Sequence, residues 1–382
     1  MSLSAPVRDL PAAVRAKARA AGAHAWLENL PRLVGDLCAE WGLRPGGAFG
    51  DATEAYVMEV TRSDGTPAVL KLMLPRGRAA THEITVLQLA AGAGCARLLD
   101  CDESRGALLL ERLGPAMSEL DLPQPHRLAI LTDLASALWR PVTPDESAPG
   151  IADLPSGRSK ALHLARDIPA KWSELGEPCT RRAVDQAVAA ARNRARAWDP
   201  GRAVLAHGDV HQWNALQVID EAQVSGSWPE PRPGVRHFPD PAPGAQGPGS
   251  PDEPSLLGWQ PEGVAGHGRE HHEGRDDAGE MRGEGWTSAG WARFKLVDPD
   301  GLVVEPEYDL GVLMREDPVE LMTGDPWERA RRLAARTGTD PVAVWEWGLV
   351  ERVSTGLVLT VAGVQPVAGQ MLAAADEISR RS

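Results

Sequence analysis

The chain has 382 residues, 43% of them hydrophobic and 24% charged, long enough for two domains or one two-lobed domain and ordinary for a folded protein. This composition excludes a fibrous or wholly disordered chain. A formal charge of −13 with no basic run disfavours nucleic acid and anionic membranes as partners and favours small-molecule chemistry.

Cys38, Cys95, Cys101 and Cys179 form no CxxC pair, which predicts free thiols in a reducing compartment. The first residues alternate Ala and Arg and lack the apolar core of a secretory signal. The longest apolar run, Thr355 to Val364, is shorter than the ~20 residues a bilayer needs. A cytoplasmic protein is expected, with no signal for an oligomeric state.

Trp26, Leu30, Leu33, Val34, Leu37 and Trp41 recur at helical spacing and predict a helix over 25–41. Gly46-Gly47-Ala48-Phe49-Gly50 then reads either as a loop covering phosphates with backbone amides or as a plain glycine turn. No GxxxxGKS/T string occurs, which disfavours a P-loop NTPase. Strands follow at 55–61 and 68–74, joined by the turn Ser63-Asp64-Gly65. The second strand places Lys71 in an apolar run, where an unpaired ammonium is costly. It is one of only five lysines against 35 arginines, so it is an uncommon choice. Nucleotide phosphates and a helix carboxylate are the partners it calls for, and Glu83, on a predicted helix over 79–91, is the candidate. A solvated edge-strand Lys and Glu are the alternative.

Two more strands are predicted at 96–100 and 106–111, joined by a polar turn at 102–105. Leu108-Leu109-Leu110-Glu111-Arg112-Leu113 ends this β-region, where an interlobe hinge would offer the backbone of Glu111 and Leu113 to adenine. From Pro115 the patterns turn helical, over 127–139, 158–175 and 180–198. The expected architecture is α+β and bilobal. Residues 1–111 form N-terminal helices and a small β-rich nucleotide lobe. Residues 112–382 form a larger, mostly helical lobe for catalysis and acceptor binding, with a cleft between the two.

The strongest motif is His207-Gly208-Asp209-Val210-His211-Gln212-Trp213-Asn214, between the apolar runs 203–206 and 215–219. In kinase catalytic loops an Asp that accepts or orients the attacking hydroxyl's proton stands five positions before a metal-binding Asn. Asp209 and Asn214 have that spacing. A second acidic site is then required, and Phe294-Lys295-Leu296-Val297-Asp298-Pro299-Asp300-Gly301 supplies it. Asp298 ends the strand directly and is the metal candidate. Asp300 either adds a second contact or shapes the turn. Between these two sites, residues 221–290 carry 14 Gly, 10 Pro, 12 acidic and 5 basic residues, and read as a disordered insertion. Asn214 and Asp298 are 84 positions apart, and removing those 70 residues leaves 14, a comfortable hairpin. His267, His271 and His272 inside the insertion are read as incidental composition rather than a metal site. Trp345-Glu346-Trp347 could line an acceptor pocket, but core packing is the preferred reading of these tryptophans.

With these strings in hand, the chain resembles the aminoglycoside phosphotransferase family, in its streptomycin 6-kinase and hydroxyurea phosphotransferase branch. The resemblance rests on Ala107–Leu113, His207–Asn214 and Val297–Leu310 and spans nearly all of the chain outside 221–290. It implies a protein-kinase-like fold and transfer of the ATP γ-phosphoryl group to a small-molecule hydroxyl. By the same resemblance Asp209 is the catalytic base, Asn214 and Asp298 bind Mg²⁺, Lys71 with Glu83 orients phosphates, and His207 and Asp309 hold the catalytic loop in shape. A cationic acceptor such as streptomycin suits an acidic cleft, with antibiotic inactivation as the outcome. The alternatives are a metabolic kinase for a sugar, choline-like or amino-alcohol substrate, and a non-catalytic nucleotide-binding protein on the same scaffold.

Overall fold

The structure, a computed structural model, describes residues 10–50, 52, 54–75, 77–143, 148, 150–219 and 293–381. Residues 221–290, with His267, His271 and His272, lie outside the described residues.

Helices α1 (Ala12–Ala20) and α2 (His24–Glu40) precede β1 (Arg44–Ala48), β2 (Ala55–Thr61), β3 (Pro67–Met73), α3 (Ala79–Ala90), β4 (Leu98–Asp102) and β5 (Ala107–Glu111). The five strands form one antiparallel sheet in the order β1-β2-β3-β5-β4. Side chains alternate across a strand, and that alternation decides where Lys71 goes. Ala68, Leu70 and Leu72 of β3 share a core with Leu30, Leu33 and Leu37 of α2. Val69 and Lys71 therefore face the other side, where Leu108 and Leu110 of β5 meet Ile84, Val86 and Leu87 of α3. The β2–β3 turn closes as its sequence suggests, with Thr66 donating from its amide and hydroxyl to Asp64 at 2.9 and 2.6 Å.

Two expectations need correction. Gly46 and Gly47 lie within β1 rather than in a loop or turn. The β1–β2 register shifts there, and a Cβ on Gly46 would stand 3.0 Å from the Glu59 carbonyl oxygen. Gly46 serves a close strand approach at a bulge. The strand expected at 96–100 begins at Leu98 instead, because the Ala96 amide donates to the Leu296 carbonyl at 2.8 Å and so commits its start to the other half of the molecule.

The second half contains α4 (Gln124–Leu138), β6 (Arg140–Pro141), α5 (Gly157–Glu174), α6 (Arg181–Ala197), β7 (Val204–Ala206), β8 (Ala215–Gln217), β9 (Phe294–Leu296), β10 (Leu302–Val304), α7 (Glu307–Leu313), α8 (Pro318–Thr323), α9 (Pro326–Thr337), α10 (Pro341–Val361) and α11 (Val367–Arg381). Asp325 and Asp340 cap the amides of Trp327 and Val342, each followed by Pro at the first helical position, the preferred start for a helix. Leu164, Ile168, Ala187, Val312, Trp347, Val350 and Leu372 from α5, α6, α7, α10 and α11 pack into one core. Trp347 is fully buried and Trp345 stacks on Trp327 at 4.2 Å, so both tryptophans are core residues. β7 lies between β6 and β10, and β8 pairs with β9. The molecule is bilobal, a small β-rich lobe followed by a larger helical one, as expected for a protein-kinase-like fold.

Candidate active site

Two loops leave neighbouring strand ends. β7 runs into His207–Asn214, which leads to β8; β9 runs into Val297–Gly301, which leads to β10. Their ends are bonded to each other: the Val297 amide donates to the Asn214 carbonyl at 2.8 Å and the Gly301 amide to the His207 carbonyl at 3.2 Å. β8 and β9 pair Leu216 with Lys295, the hairpin that removal of 221–290 predicts. Beyond it, the Val218 amide donates to the Arg293 carbonyl at 2.7 Å.

The small lobe contributes Lys71 and Glu83. The Lys71 ammonium lies 2.7 Å from both Glu83 carboxylate oxygens and 2.7 Å from Asp298 Oδ1. Lys71 and Glu83 are buried, whereas the Asp298 side chain is 48% exposed. Burial opposes the ammonium, but the Asp298 and Glu83 carboxylates outweigh it and hold the Lys71 pKa above the usual lysine range. Burial also raises the Glu83 carboxyl, against the pull of Lys71. A carboxyl taken out of water is the harder to ionise. Asp298 adopts a left-handed backbone with φ 59°, a conformation Asp tolerates better than most residues.

Asp209 is almost fully buried. Its Oδ2 accepts from His211 Nε2 at 3.1 Å and from Asn214 Nδ2 at 3.3 Å, and its Oδ1 accepts from Arg315 Nη2. Burial opposes ionisation, yet His211 and Arg315 hold the carboxyl well below the usual range. Asn214 Nδ2 also donates to the Asp209 carbonyl at 3.1 Å. With its nitrogen committed to Asp209, the amide oxygen is the end that suits a cation.

Below these residues Asp309 binds the loop's backbone, accepting from the amides of His207 at 3.1 Å and Gly208 at 2.8 Å and from Trp139 Nε1 at 2.9 Å. His207 Nε2 donates to the Val297 carbonyl at 3.0 Å, and its Nδ1 accepts the Asp209 amide at 3.2 Å. Burial lowers its pKa to about 4. Gly208 has φ 90°, and a Cβ there would lie 2.9 Å from Asp300 Cβ, so Asp300 packs against the loop.

The hinge candidates stand apart from this cluster. Glu111 accepts the Arg97 amide at 2.6 Å and pairs with Lys295, while the Leu113 carbonyl accepts from Arg112. Two residues that touch Asp209, His211 and Arg315, carry no role in the sequence reading. His211 stood inside the motif, and Arg315 ends the apolar run 310–314 as its first charged residue.

Among the described residues no helix is long and apolar enough to cross a membrane. The family model described as aminoglycoside/hydroxyurea antibiotic resistance kinase matches residues 40–228. Streptomycin 6-kinase of Streptomyces glaucescens is 31% identical over 228 residues, covering 59% of this chain and 70% of that protein. Hydroxyurea phosphotransferase of Kitasatospora aureofaciens is 33% identical over 193 residues, 50% of this chain and 54% of that protein. Among solved structures, the macrolide 2′-phosphotransferase MphH from Brachybacterium faecium aligns over 92% of this chain and 97% of its own at 13% identity, with a TM-score of 0.45. The chain is a phosphotransferase and belongs to the aminoglycoside/hydroxyurea antibiotic resistance kinase family.

Proposed function

We propose that this phosphotransferase moves the γ-phosphoryl group of ATP to a hydroxyl of a small molecule, with an aminoglycoside-type antibiotic such as streptomycin as acceptor. The observation that carries the reading is the convergence of Lys71 and Glu83 from the small lobe on Asp298 of the large one, beside Asp209 and Asn214 on the paired loop. Lys71, oriented by Glu83, holds the phosphates, and the backbone of Glu111–Leu113 receives adenine. Asn214 and Asp298 fit Mg²⁺. Among the described residues no group of three or more His, Cys, Asp or Glu side chains could cage a metal, and Mg²⁺ takes few protein ligands alongside waters and phosphate oxygens. When bound there it supplies charge neutralisation on the transferring phosphate. Asp209 orients the acceptor hydroxyl: its oxygen bonds to the γ-phosphorus, the bond to the bridging oxygen breaks with its electron pair on ADP, and the hydroxyl proton passes to the carboxylate. His207 and Asp309 keep the loop in that geometry. A cationic acceptor suits the net charge of −6 that remains outside residues 221–290, and a streptomycin 6-kinase among the relatives supports starting with streptomycin.

The test is acceptor-dependent ADP release with Mg·ATP across streptomycin, other aminoglycosides, hydroxyurea and amino-alcohols, beside Asp209→Asn. Turnover with an aminoglycoside, reduced by about 10²–10⁴ in the variant with nucleotide binding retained, is the expected result. ATP binding with silence across the aminoglycosides overturns the antibiotic reading.

A further inference from the structure

We propose that Arg315 is a positioning residue for phosphoryl transfer, holding Asp209 so that a single lone-pair position, on Oδ1, faces the acceptor hydroxyl. This rests on the reading of Asp209 given above. A carboxylate offers about four lone-pair sites. On Asp209, His211 and Asn214 occupy both sites of Oδ2, and Arg315 occupies one of Oδ1. The Trp213 amide donates to His211 Nδ1 at 3.2 Å, so the proton of this imidazole is on Nε2 and points at Asp209. The site left open is on Oδ1, which Arg315 shares.

Arg315 is itself buried and acts through Asp209. Its Nη1 donates to Thr355 Oγ1 at 2.9 Å and lies 3.7 Å from Glu351 Oε2, and Glu351 accepts from the Tyr308 hydroxyl at 2.7 Å. The turn that carries it is gripped from three helices. Arg352 of α10 donates to the Met314 carbonyl at 2.9 Å, Arg329 of α9 donates to the Glu316 carbonyl, and Nη2 of Arg127 of α4 meets both Asp317 carboxylate oxygens at 2.8 and 2.9 Å. A planar fork bridging α10 and Asp209 fixes the rotation of the carboxylate in a way one ammonium does not. The hydroxyl is aimed first, and its proton passes to Oδ1 as the oxygen–phosphorus bond forms.

Arg315→Gln, Arg315→Lys and Thr355→Val are compared with wild type in Mg·ATP turnover, using streptomycin and, in parallel, water as acceptor. Nucleotide affinity and Tm are measured on the same samples. Arg315→Gln is expected to lose about 10²-fold in kcat, with acceptor KM and nucleotide Kd within about threefold of wild type. Arg315→Lys is expected to recover about tenfold of that loss. Thr355→Val keeps the charge but loosens its anchor, and is expected to lose about five- to tenfold in kcat; it stands as the test should Arg315→Gln fail to fold. A kcat unchanged in Arg315→Gln, or in Thr355→Val when the former does not fold, or a defect confined to KM or Tm, overturns the inference. If Asp209→Asn collapses turnover and these variants do not, only the role of Arg315 fails. If Asp209→Asn is also active, the reading of Asp209 has failed.

Discussion

Lys71 Nζ and Asp298 Oδ1 lie 2.7 Å apart although 227 positions separate them in the chain. The pair joins β3 of the small lobe with the loop that follows β9 in the large one, and Glu83 completes it from the buried side. Lys71→Met is therefore expected to lower turnover by about 10²–10³ and to raise the nucleotide Kd. It also strands a buried carboxylate, a change that costs about 3 kcal/mol or more. Adding Glu83→Gln to the same protein restores most of the lost Tm without restoring turnover. Thermal melts and nucleotide titrations of both variants check this, and recovered activity in the double variant would contradict it.

Gly208 precedes Asp209 with φ 90° and no room for a side chain beside Asp300. Gly208→Ala must both adopt a backbone unfavourable to L-residues and push Asp300 away. The expected cost is about 2–4 kcal/mol, seen as a clearly lower urea midpoint at unchanged m-value. A midpoint equal to wild type counts against the steric argument.

His207 is neutral in the folded protein. Protonation would turn Nδ1 into a donor facing the Asp209 amide at 3.2 Å, and burial already lowers the pKa to about 4. The unfolded chain takes up this proton near 6.5, so the stability is fully present above that pH and is lost as pH falls from 6.5 towards 4. The loss amounts to about 3 kcal/mol. Urea unfolding at pH 7.5, 5.5 and 4.5 measures the slope, and His207→Gln should flatten it over this window.

Excising residues 221–290 leaves positions 219, 220, 291 and 292 between Val218 and Arg293, whose backbones already meet at 2.7 Å. A four-residue connection is an ordinary hairpin loop. The shortened protein is expected to keep its Tm within a few degrees and its kcat/KM within about threefold. A folded but inactive product would assign the excised segment a part in the reaction.

Much of this site was legible because its chemistry forces unusual residues into plain view. Lys71 stands out as a charge inside an apolar strand, and Asp209 and Asn214 by a fixed interval. Asp298 and Glu83 follow from what those three require. The roles of His211 and Arg315 were hidden for the opposite reason. With Glu316 and Asp317 next to it, Arg315 reads as locally matched charge, and only the packing of α7 against α10 brings it under Asp209. The start of β4 is hidden from the sequence in the same way, since Ala96 is claimed by a carbonyl 200 positions on. Gly46 and Gly47 carry a local signal with two readings, a loop over phosphates or a plain turn, and the cross-strand approach of Gly46 to Glu59 makes it a bulged strand instead.

The closed neck between Val218 and Arg293 makes the β8–β9 hairpin a natural graft point. Loop-closure entropy grows only logarithmically, so a connection of some seventy residues costs roughly 2–3 kcal/mol more than one of four. A compact reporter domain with adjacent termini can take the place of the native segment at little expense to the fold. Because one strand leads back to Asn214 and the other forward to Asp298, such a reporter would sit a few residues from both, wired to whatever those two side chains bind.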